Sequence, residues 1–215
     1  MSNTSLGYHE LNPNYGFYID KVPQEILDNL KPQINNLIIN NFNNGVKVNH
    51  ELEGEIEHEF RMVPSLQIKN YIKKLSQEFE NKSRYMSSNY PSNKTLKFND
   101  LWVNFQKKHE YNPIHSHIGV YSFVIWYQIP YLVENEKKYS FKTKEKKCFH
   151  GSFEFLTPTL LSDNLAPKIK ACSLDIDKSK EGYITIFPSS LHHVVYPFYS
   201  SDDYRITIAG NIKIS

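Results

Sequence analysis

The sequence of 215 residues has little of several features that define particular classes of protein. Its two cysteines, Cys148 and Cys172, cannot build the framework of disulfides typical of small secreted domains, so we expect reduced thiols. No run approaches the ~18 apolar residues of a membrane-spanning helix. Residues 1–7 lack the basic start and apolar core of a signal peptide. These absences predict a cytoplasmic protein with no membrane partner.

The chain also lacks an excess of charge of one sign. It carries 25 basic and 23 acidic residues, for a formal net charge of +2, whereas a dedicated nucleic-acid binder is usually far more basic. No nucleic-acid partner is therefore indicated. Hydrophobic residues make up 40% of the sequence, which is enough for a core, and the length favours one domain spanning residues 1–215.

Residues 1–95 are predicted to be mainly helical support. A first helix, with Asp20 and Pro23 near its start and Gly45 beyond its end, has apolar residues at helical spacing: Ile26, Leu27, Leu30, Ile34, Leu37 and Ile38. Pro32 lies inside it and is expected to kink or split it. A second helix is predicted to begin at Ser65 and to present one apolar face: Ile68, Ile72, Leu75 and Phe79. Either face could bind a partner, but packing against a sheet is the expected role.

From Leu96 onward the pattern favours strands, and residues 96–215 are predicted to form the β core. Alternating or β-rich segments occur at 102–106, 121–129, 151–156, 183–187, 193–198 and 204–214. Turn residues separate them. Many short strands in series favour a sandwich or barrel, so the fold is predicted to be mainly β.

Two segments interrupt the strands. The Lys-rich insertion near residues 131–150 contains Lys137, Lys138, Lys142, Lys144, Lys146 and Lys147. It is interpreted as a solvated insertion, as a lid or as a loop that attracts anions. Residues 163–177 are predicted to form a second long connection.

The histidines are unevenly placed. His115 and His117 are two residues apart at the start of a predicted strand, so their rings would share one face. His193, in a later strand, could complete a triangle of ligands that leaves coordination positions open for catalysis. His192 is adjacent and would point to the surface. The alternative is that the His-x-His pair merely forms hydrogen bonds.

Arg205 lies in the alternating apolar segment Tyr204–Ala209, where a buried charge is costly unless something pairs with it. It is either a surface arginine on a half-exposed strand or a two-pronged binding group for a carboxylate. Thr207 shares its face and could donate a hydroxyl to the same anion.

The second half of the chain resembles the iron(II)- and 2-oxoglutarate-dependent oxygenases, in particular a branch frequent in bacteriophage and marine bacterial genomes. The resemblance covers roughly residues 100 to 215 and rests on the order of four segments: Asn-Pro-Ile-His-Ser-His-Ile-Gly at 112–119, Ser-Phe-Val-Ile-Trp at 122–126, Gly-Tyr-Ile-Thr-Ile-Phe-Pro-Ser-Ser-Leu-His-His-Val at 182–194, and Tyr-Arg-Ile-Thr-Ile-Ala-Gly-Asn at 204–211. It implies a double-stranded β-helix, or jelly-roll, with the N-terminal helices packed on its outside.

The resemblance also implies roles for individual residues. His115 takes the first ligand position and His193 the distal one, while Arg205, with Thr207, binds the far carboxylate of 2-oxoglutarate. The family's usual acidic ligand is replaced by His117. Either His117 binds the metal together with His115, which we favour, or His117 is the first ligand and Gly119 leaves the carboxylate position open. Asn104, Gln106 and Tyr127 are predicted to line the pocket.

The predicted function is that of a hydroxylase in a bacterium or a phage-infected host. It would use Fe(II) and O2 to oxidise a substrate while converting 2-oxoglutarate to succinate and CO2. Two alternatives are a cupin-like three-histidine metal enzyme without a 2-oxoacid and a non-enzymatic jelly-roll with a binding or structural role. Three imidazoles also suit metals other than iron. The sequence leaves the oligomeric state open, and a small molecule or peptide is the expected substrate.

Overall fold

The structure is a computed structural model that describes residues 5–12, 14–141, 148–160 and 167–215. The predictions for Lys142, Lys144, Lys146, Lys147 and residues 163–166 lie outside the described residues. Among the helices that are described, none is long and apolar enough to span a membrane.

Strands dominate the described part of the chain. The strands are β1 (Gly7–Asn12), β2 (Tyr15–Lys21), β3 (His58–Arg61), β4 (Leu96–Gln106), β5 (Asn112–His115), β6 (Tyr121–Gln128), β7 (Phe153–Leu160), β8 (Pro167–Leu174), β9 (Tyr183–Pro188), β10 (His192–Val195) and β11 (Arg205–Ile214). The α-helices are α1 (Gln24–Ile39), α2 (Leu66–Ser83), α3 (Tyr85–Asn89) and α4 (Val133–Glu136).

The strands form two antiparallel sheets. The major sheet has the order β1-β2-β9-β6-β11-β4-β3, and the minor sheet has the order β5-β10-β7-β8. Aromatic contacts join them, since Phe17 of β2 stacks on Phe155 of β7 at 4.7 Å and Trp126 of β6 meets Phe153 of β7 at 6.0 Å. The result is the jelly-roll that the sequence predicts.

Along the central strands of the major sheet, successive side chains point alternately to the two faces of the sheet. Residues such as Val103, Phe123 and Ile208 pack with the apolar faces of α1 and α2 in one core cluster. Their neighbours Trp102 and Ala209 point to the opposite face. Because side chains alternate along a strand, one sheet separates a helix-covered core from a pocket.

The predicted helices are present. The α2 helix begins after Ser65, whose hydroxyl accepts a hydrogen bond from the backbone N–H of Ile68, and its four predicted apolar residues are buried. The α1 helix runs through Pro32 without being split, contrary to one of the two expected outcomes. Pro32 lies on its exposed side, where the ring faces solvent.

Four strands were missed by the sequence analysis. The hairpin of β1 and β2 extends the major sheet at one edge, and β3 closes the other edge, so residues 1–95 are less exclusively helical than predicted. Strand β8 lies within the segment that was interpreted as a long connection. Strands β1, β3 and β8 lie at the edges of their sheets, where the period-two pattern is weak, whereas β2 is an inner strand of seven residues.

Gly210 offers a test of the central register. An added Cβ there would lie 2.4 Å from the carbonyl oxygen of Asp100 and 2.7 Å from Cζ of Phe123. We expect Gly210→Ala to lower the free energy of unfolding by about 2–3 kcal/mol, because the backbone of β4 must move. Urea denaturation measures this. Lys213→Ala, at an exposed site on the same strand, should change it by less than about 0.5 kcal/mol; equal stability of Gly210→Ala and the natural protein would contradict the register.

Candidate active site

Three histidines meet where the short strands β5 and β10 pair. His193 of β10 lies directly opposite His115, the last residue of β5. His117 follows the end of that strand, and its backbone N–H donates to the carbonyl of Ser189 at 2.8 Å. The expectation that His115 and His117 lie in one strand is therefore wrong, whereas the expectation that their rings point to the same site is confirmed. A loop held by Ser189 brings the second ring to the first.

The three rings lie close enough to share one ion. Their centroids are 4.1 Å apart for His115 and His193, 4.9 Å for His115 and His117, and 5.2 Å for His117 and His193. One ligand atom of each lies within 4.8 Å of the others. His192, by contrast, is exposed.

Backbone carbonyls orient two of the rings. Nδ1 of His115 lies 2.7 Å from the carbonyl of Pro113, and Nδ1 of His193 lies 3.0 Å from the carbonyl of Leu191. A carbonyl only accepts, so Nδ1 carries the proton and Nε2 keeps its lone pair. Metal-binding histidines are typically oriented in this way.

Burial keeps the cluster neutral. It lowers the pKa of His117 to about 3 and the pKa of His115 below its usual value. The pKa of His193, which is 2% exposed, is well below that of a free histidine, because of burial first and the neighbouring imidazoles second. Neutral imidazole is the form that binds a metal.

Aromatic side chains surround the histidines. The ring of His193 stacks on Phe153 at 5.4 Å and meets the edge of Phe187 at 5.0 Å. Trp102 lies 5.8 Å from the ring of His117. These contacts fix the ring orientations and exclude water from one side of the cluster.

Arg205 lies in the same pocket and is held by neutral groups. Its Nε and Nη2 donate to Oε1 of Gln106 at 3.1 and 2.5 Å. Nη1 donates to the hydroxyl of Tyr131 at 2.6 Å and to the carbonyl of Gly151 at 3.0 Å, and Nη2 also donates to the carbonyl of Tyr196 at 3.2 Å. All five donors of the guanidinium therefore have an acceptor.

The charge of Arg205 has no acidic partner. The residue is 2% exposed, and no carboxylate of a described residue lies within ion-pair distance of it. A buried charge that faces only neutral groups is costly. The site is thus electrostatically suited to an anion, as expected for a carboxylate-binding arginine.

The other predicted pocket residues separate into two groups. Thr207, Asn104 and Gln106 line the pocket, and Nδ2 of Asn104 lies 3.4 Å from the hydroxyl of Thr207. Tyr127 does not line it and packs instead against the helix-covered core. Its neighbour Trp126 takes the pocket-facing position, because alternate residues of β6 point to opposite faces.

The sequence analysis did not assign a role to Tyr131, which lies behind Arg205, or to Glu59, which lines the pocket. Tyr131, which binds Arg205, was assigned to the Lys-rich insertion, although it closely follows the aromatic strand β6. Glu59 lies on β3, whose four residues are too few for a period-two pattern to be recognised.

Glu59 is a buried carboxylate without a hydrogen bond. It is 1% exposed, it lines the pocket, and neither of its oxygens has a partner among the described residues. Burial, and secondarily the carboxylate of Glu110, raises the pKa of Glu59 to about 8. The folded protein therefore favours the protonated acid at neutral pH when nothing is bound.

Comparison with known proteins identifies the class. The sequence model of the family described as "Putative 2OG-Fe(II) oxygenase", where 2OG is 2-oxoglutarate, matches residues 100–211, which is just over half of the chain. The chain belongs to this family of 2-oxoglutarate- and iron(II)-dependent oxygenases and is an enzyme of the dioxygenase type. The resemblance noted in the sequence is thereby confirmed.

One solved structure supports the fold. The chain is similar to a prolyl-4-hydroxylase of Pseudomonas putida, with a TM-score of 0.54 and 12% identity over 91% of each chain. It also matches a viral collagen prolyl hydroxylase from Paramecium Bursaria Chlorella virus-1, with a TM-score of 0.48 and 13% identity over 91% of this chain and 94% of that chain. No curated protein matches the sequence. The first similarity confirms the predicted double-stranded β-helix.

The raised pKa of Glu59 predicts a pH-dependent stability. In the unfolded chain the acid ionises near pH 4.5, whereas in the folded protein it ionises near pH 8. Its ionisation therefore destabilises the fold increasingly as the pH rises between these values. The free energy of unfolding of Glu59→Gln should equal that of the natural protein near pH 5 and should exceed it by about 1–3 kcal/mol at pH 8.5. This range is smaller than the full pKa difference implies because solvent screens part of the effect.

Urea denaturation at both pH values measures this difference. Glu57→Gln, which changes an exposed carboxylate just before β3, is the matched control and should show no such trend. A Glu59→Gln effect that is the same at pH 5 and pH 8.5 would mean that Glu59 has an ordinary pKa.

Proposed function

We propose that the protein is a hydroxylase that binds iron(II) through His115, His117 and His193 and binds 2-oxoglutarate through Arg205. The observation that carries the proposal is the convergence of three buried, neutral imidazoles in a pocket that also holds a buried guanidinium without an acidic partner. Family membership supports both cofactors.

The donor set fits a catalytic metal. Three imidazoles occupy three positions and leave the others for a co-substrate and oxygen. When bound, iron(II) supplies the oxygen chemistry that couples conversion of 2-oxoglutarate to succinate and CO2 with oxidation of the substrate. The protein contributes ring orientation through Pro113 and Leu191 and a wall of aromatic side chains that keeps water away.

His117 is the residue that distinguishes this site from a two-histidine, one-carboxylate site. A ligand atom of His117 lies within 4.8 Å of those of His115 and His193, which is close enough for all three to bind one ion. This supports the pairing of His115 with His117 as ligands over the alternative in which Gly119 leaves a position open. Three neutral ligands leave the full positive charge on the metal. Such a site should hold an anionic chelating ligand more strongly than a site with a carboxylate ligand.

Arg205 is suited to the far carboxylate of 2-oxoglutarate. A carboxylate would replace part of the contact with Gln106 and would give the buried charge its missing partner. Charge-assisted hydrogen bonds of this kind contribute about 1.5–3 kcal/mol. Thr207 lines the same pocket two residues along the strand, which supports a role in which its hydroxyl donates to the same carboxylate.

The decisive experiment is an anaerobic titration of the full chain with iron(II) and 2-oxoglutarate. The expected result is a weak visible charge-transfer band that needs both additions and is lost in His193→Ala. Bound metal without a band would overturn the 2-oxoglutarate proposal and favour a three-histidine metal enzyme of another type. Failure to bind metal would overturn the metal site itself.

The role of Arg205 gives a graded prediction. Arg205→Lys keeps the charge but loses the two-pronged contact, so the Kd for 2-oxoglutarate should rise about 10- to 100-fold. Thr207→Val, which removes one hydroxyl at nearly constant shape, should raise it about 3- to 10-fold. The band titration measures both values, and circular dichroism verifies that each variant is folded. An unchanged Kd in both variants would mean that the anion binds elsewhere.

A further inference from the structure

Glu59 lies on the edge strand of the major sheet, two strands away from β11, which carries Arg205. Strand β3 is the last strand of the major sheet, and the register aligns Glu59 with Asn104 of β4 and, one strand further, with Thr207 of β11. Two strand spacings amount to about 10 Å. Glu59 and the proposed 2-oxoglutarate site are therefore separated by roughly the length of a small substrate.

Several acceptors without donors meet around Glu59. Its two carboxylate oxygens, Oδ1 of Asn104 and Oδ1 of Asn112 are all buried and lack hydrogen-bond partners among the described residues. The position that a Cβ would occupy on Gly54 lies 2.4 Å from Oδ1 of Asn112 and 3.0 Å from Oε1 of Glu59. The lack of a side chain at Gly54 thus lets its backbone approach these two acceptors closely, since an added Cβ would clash with the oxygen of Asn112.

Unsatisfied buried acceptors are rare and costly. The carboxylate of Glu59 does not belong to the metal site, since the cluster of converging ligand atoms consists of the three histidines. No lysine or arginine of the described residues forms an ion pair with it. A protonated Glu59 could donate to only one of the two asparagine oxygens, so the remaining acceptors need a donor that the described residues do not supply.

The surroundings favour a positively charged donor. Glu53 also lines the pocket, and the carboxylate of Glu110 lies near enough to raise the pKa of Glu59. A cation would relieve this repulsion, whereas a neutral donor would not. The wall beside these acids is apolar and is formed by Leu52, Ile56 and Trp102. Such a wall suits an aliphatic chain that ends in a charged nitrogen.

We propose that Glu59, with Asn104 and Asn112, is the substrate-recognition site and binds an ammonium or guanidinium group at the end of an aliphatic chain. The inference rests on the proposed oxygenase function, because it assigns a substrate class to that pocket. The substrate would be an amine or a basic amino acid, free or within a peptide. Glu59 itself lies outside residues 100–211, the part that matches the family model.

Isothermal titration calorimetry tests the proposal with two pairs of probes. The first pair is Nα-acetyl-arginine amide and Nα-acetyl-citrulline amide, which has nearly the same shape but is neutral. The second pair is Nα-acetyl-lysine amide, whose side-chain ammonium is free, and Nα-acetyl-norleucine amide. At least one cationic probe should bind about tenfold more tightly than its neutral partner. Glu59→Gln should remove this preference, and the surface control Glu57→Gln should retain it.

Two further readouts separate recognition from a structural role. Because the pKa of unbound Glu59 is about 8, binding of a cation at pH 7 should release most of one proton, seen as a dependence of the binding heat on the buffer. Gly54→Ala, which keeps the charge but whose Cβ would displace the oxygens of Asn112 and Glu59, should also weaken the binding of the cationic probes.

The outcomes are distinct. Equal binding of the charged and neutral probes, a preference that survives in Glu59→Gln, or no binding of any probe would each overturn the proposal. The titration is run anaerobically with iron(II) and 2-oxoglutarate and again without them. If the chelate band is absent but the cations still bind through Glu59, the oxygenase proposal and the substrate assignment fail while the cation site stands.

Discussion

The alternation of side chains along β4, β6 and β11 is the constraint on which the rest of the structure depends. These central strands pack one set of apolar residues against the helices and turn the other set towards the pocket. A slip of one residue would exchange the two sets and put Arg205 into the apolar core. The ladder between β11 and its two neighbours therefore fixes the core and the chemistry together.

Much of the site was predictable because its signals are local. The spacing of His115 and His117, the adjacent pair that ends in His193, and the alternation around Arg205 can each be read within a few residues. The order of these segments then indicates the family. The α2 helix was equally readable, since a capping serine precedes a regular apolar face.

The remainder depends on contacts between distant segments. Glu59 reaches the pocket only because β3 pairs with β4, some forty residues later. Strand β3 has only four residues, which are too few to show a period-two pattern. The loop at His117 is shaped by the carbonyl of Ser189. Tyr127 was assigned to the wrong face because it follows another large aromatic residue, Trp126, and composition alone does not show which of two adjacent aromatics points inward.

The neutral shell around Arg205 has a consequence for how an anion would associate with it. The guanidinium gave up its hydration when the protein folded, and five hydrogen bonds to four protein oxygens replaced those to water. An incoming carboxylate therefore exchanges one set of oxygens for another and strips no water from the arginine. Since a pair formed at such depth is poorly screened by dissolved ions, its strength should depend far less on ionic strength than that of an ion pair on the surface.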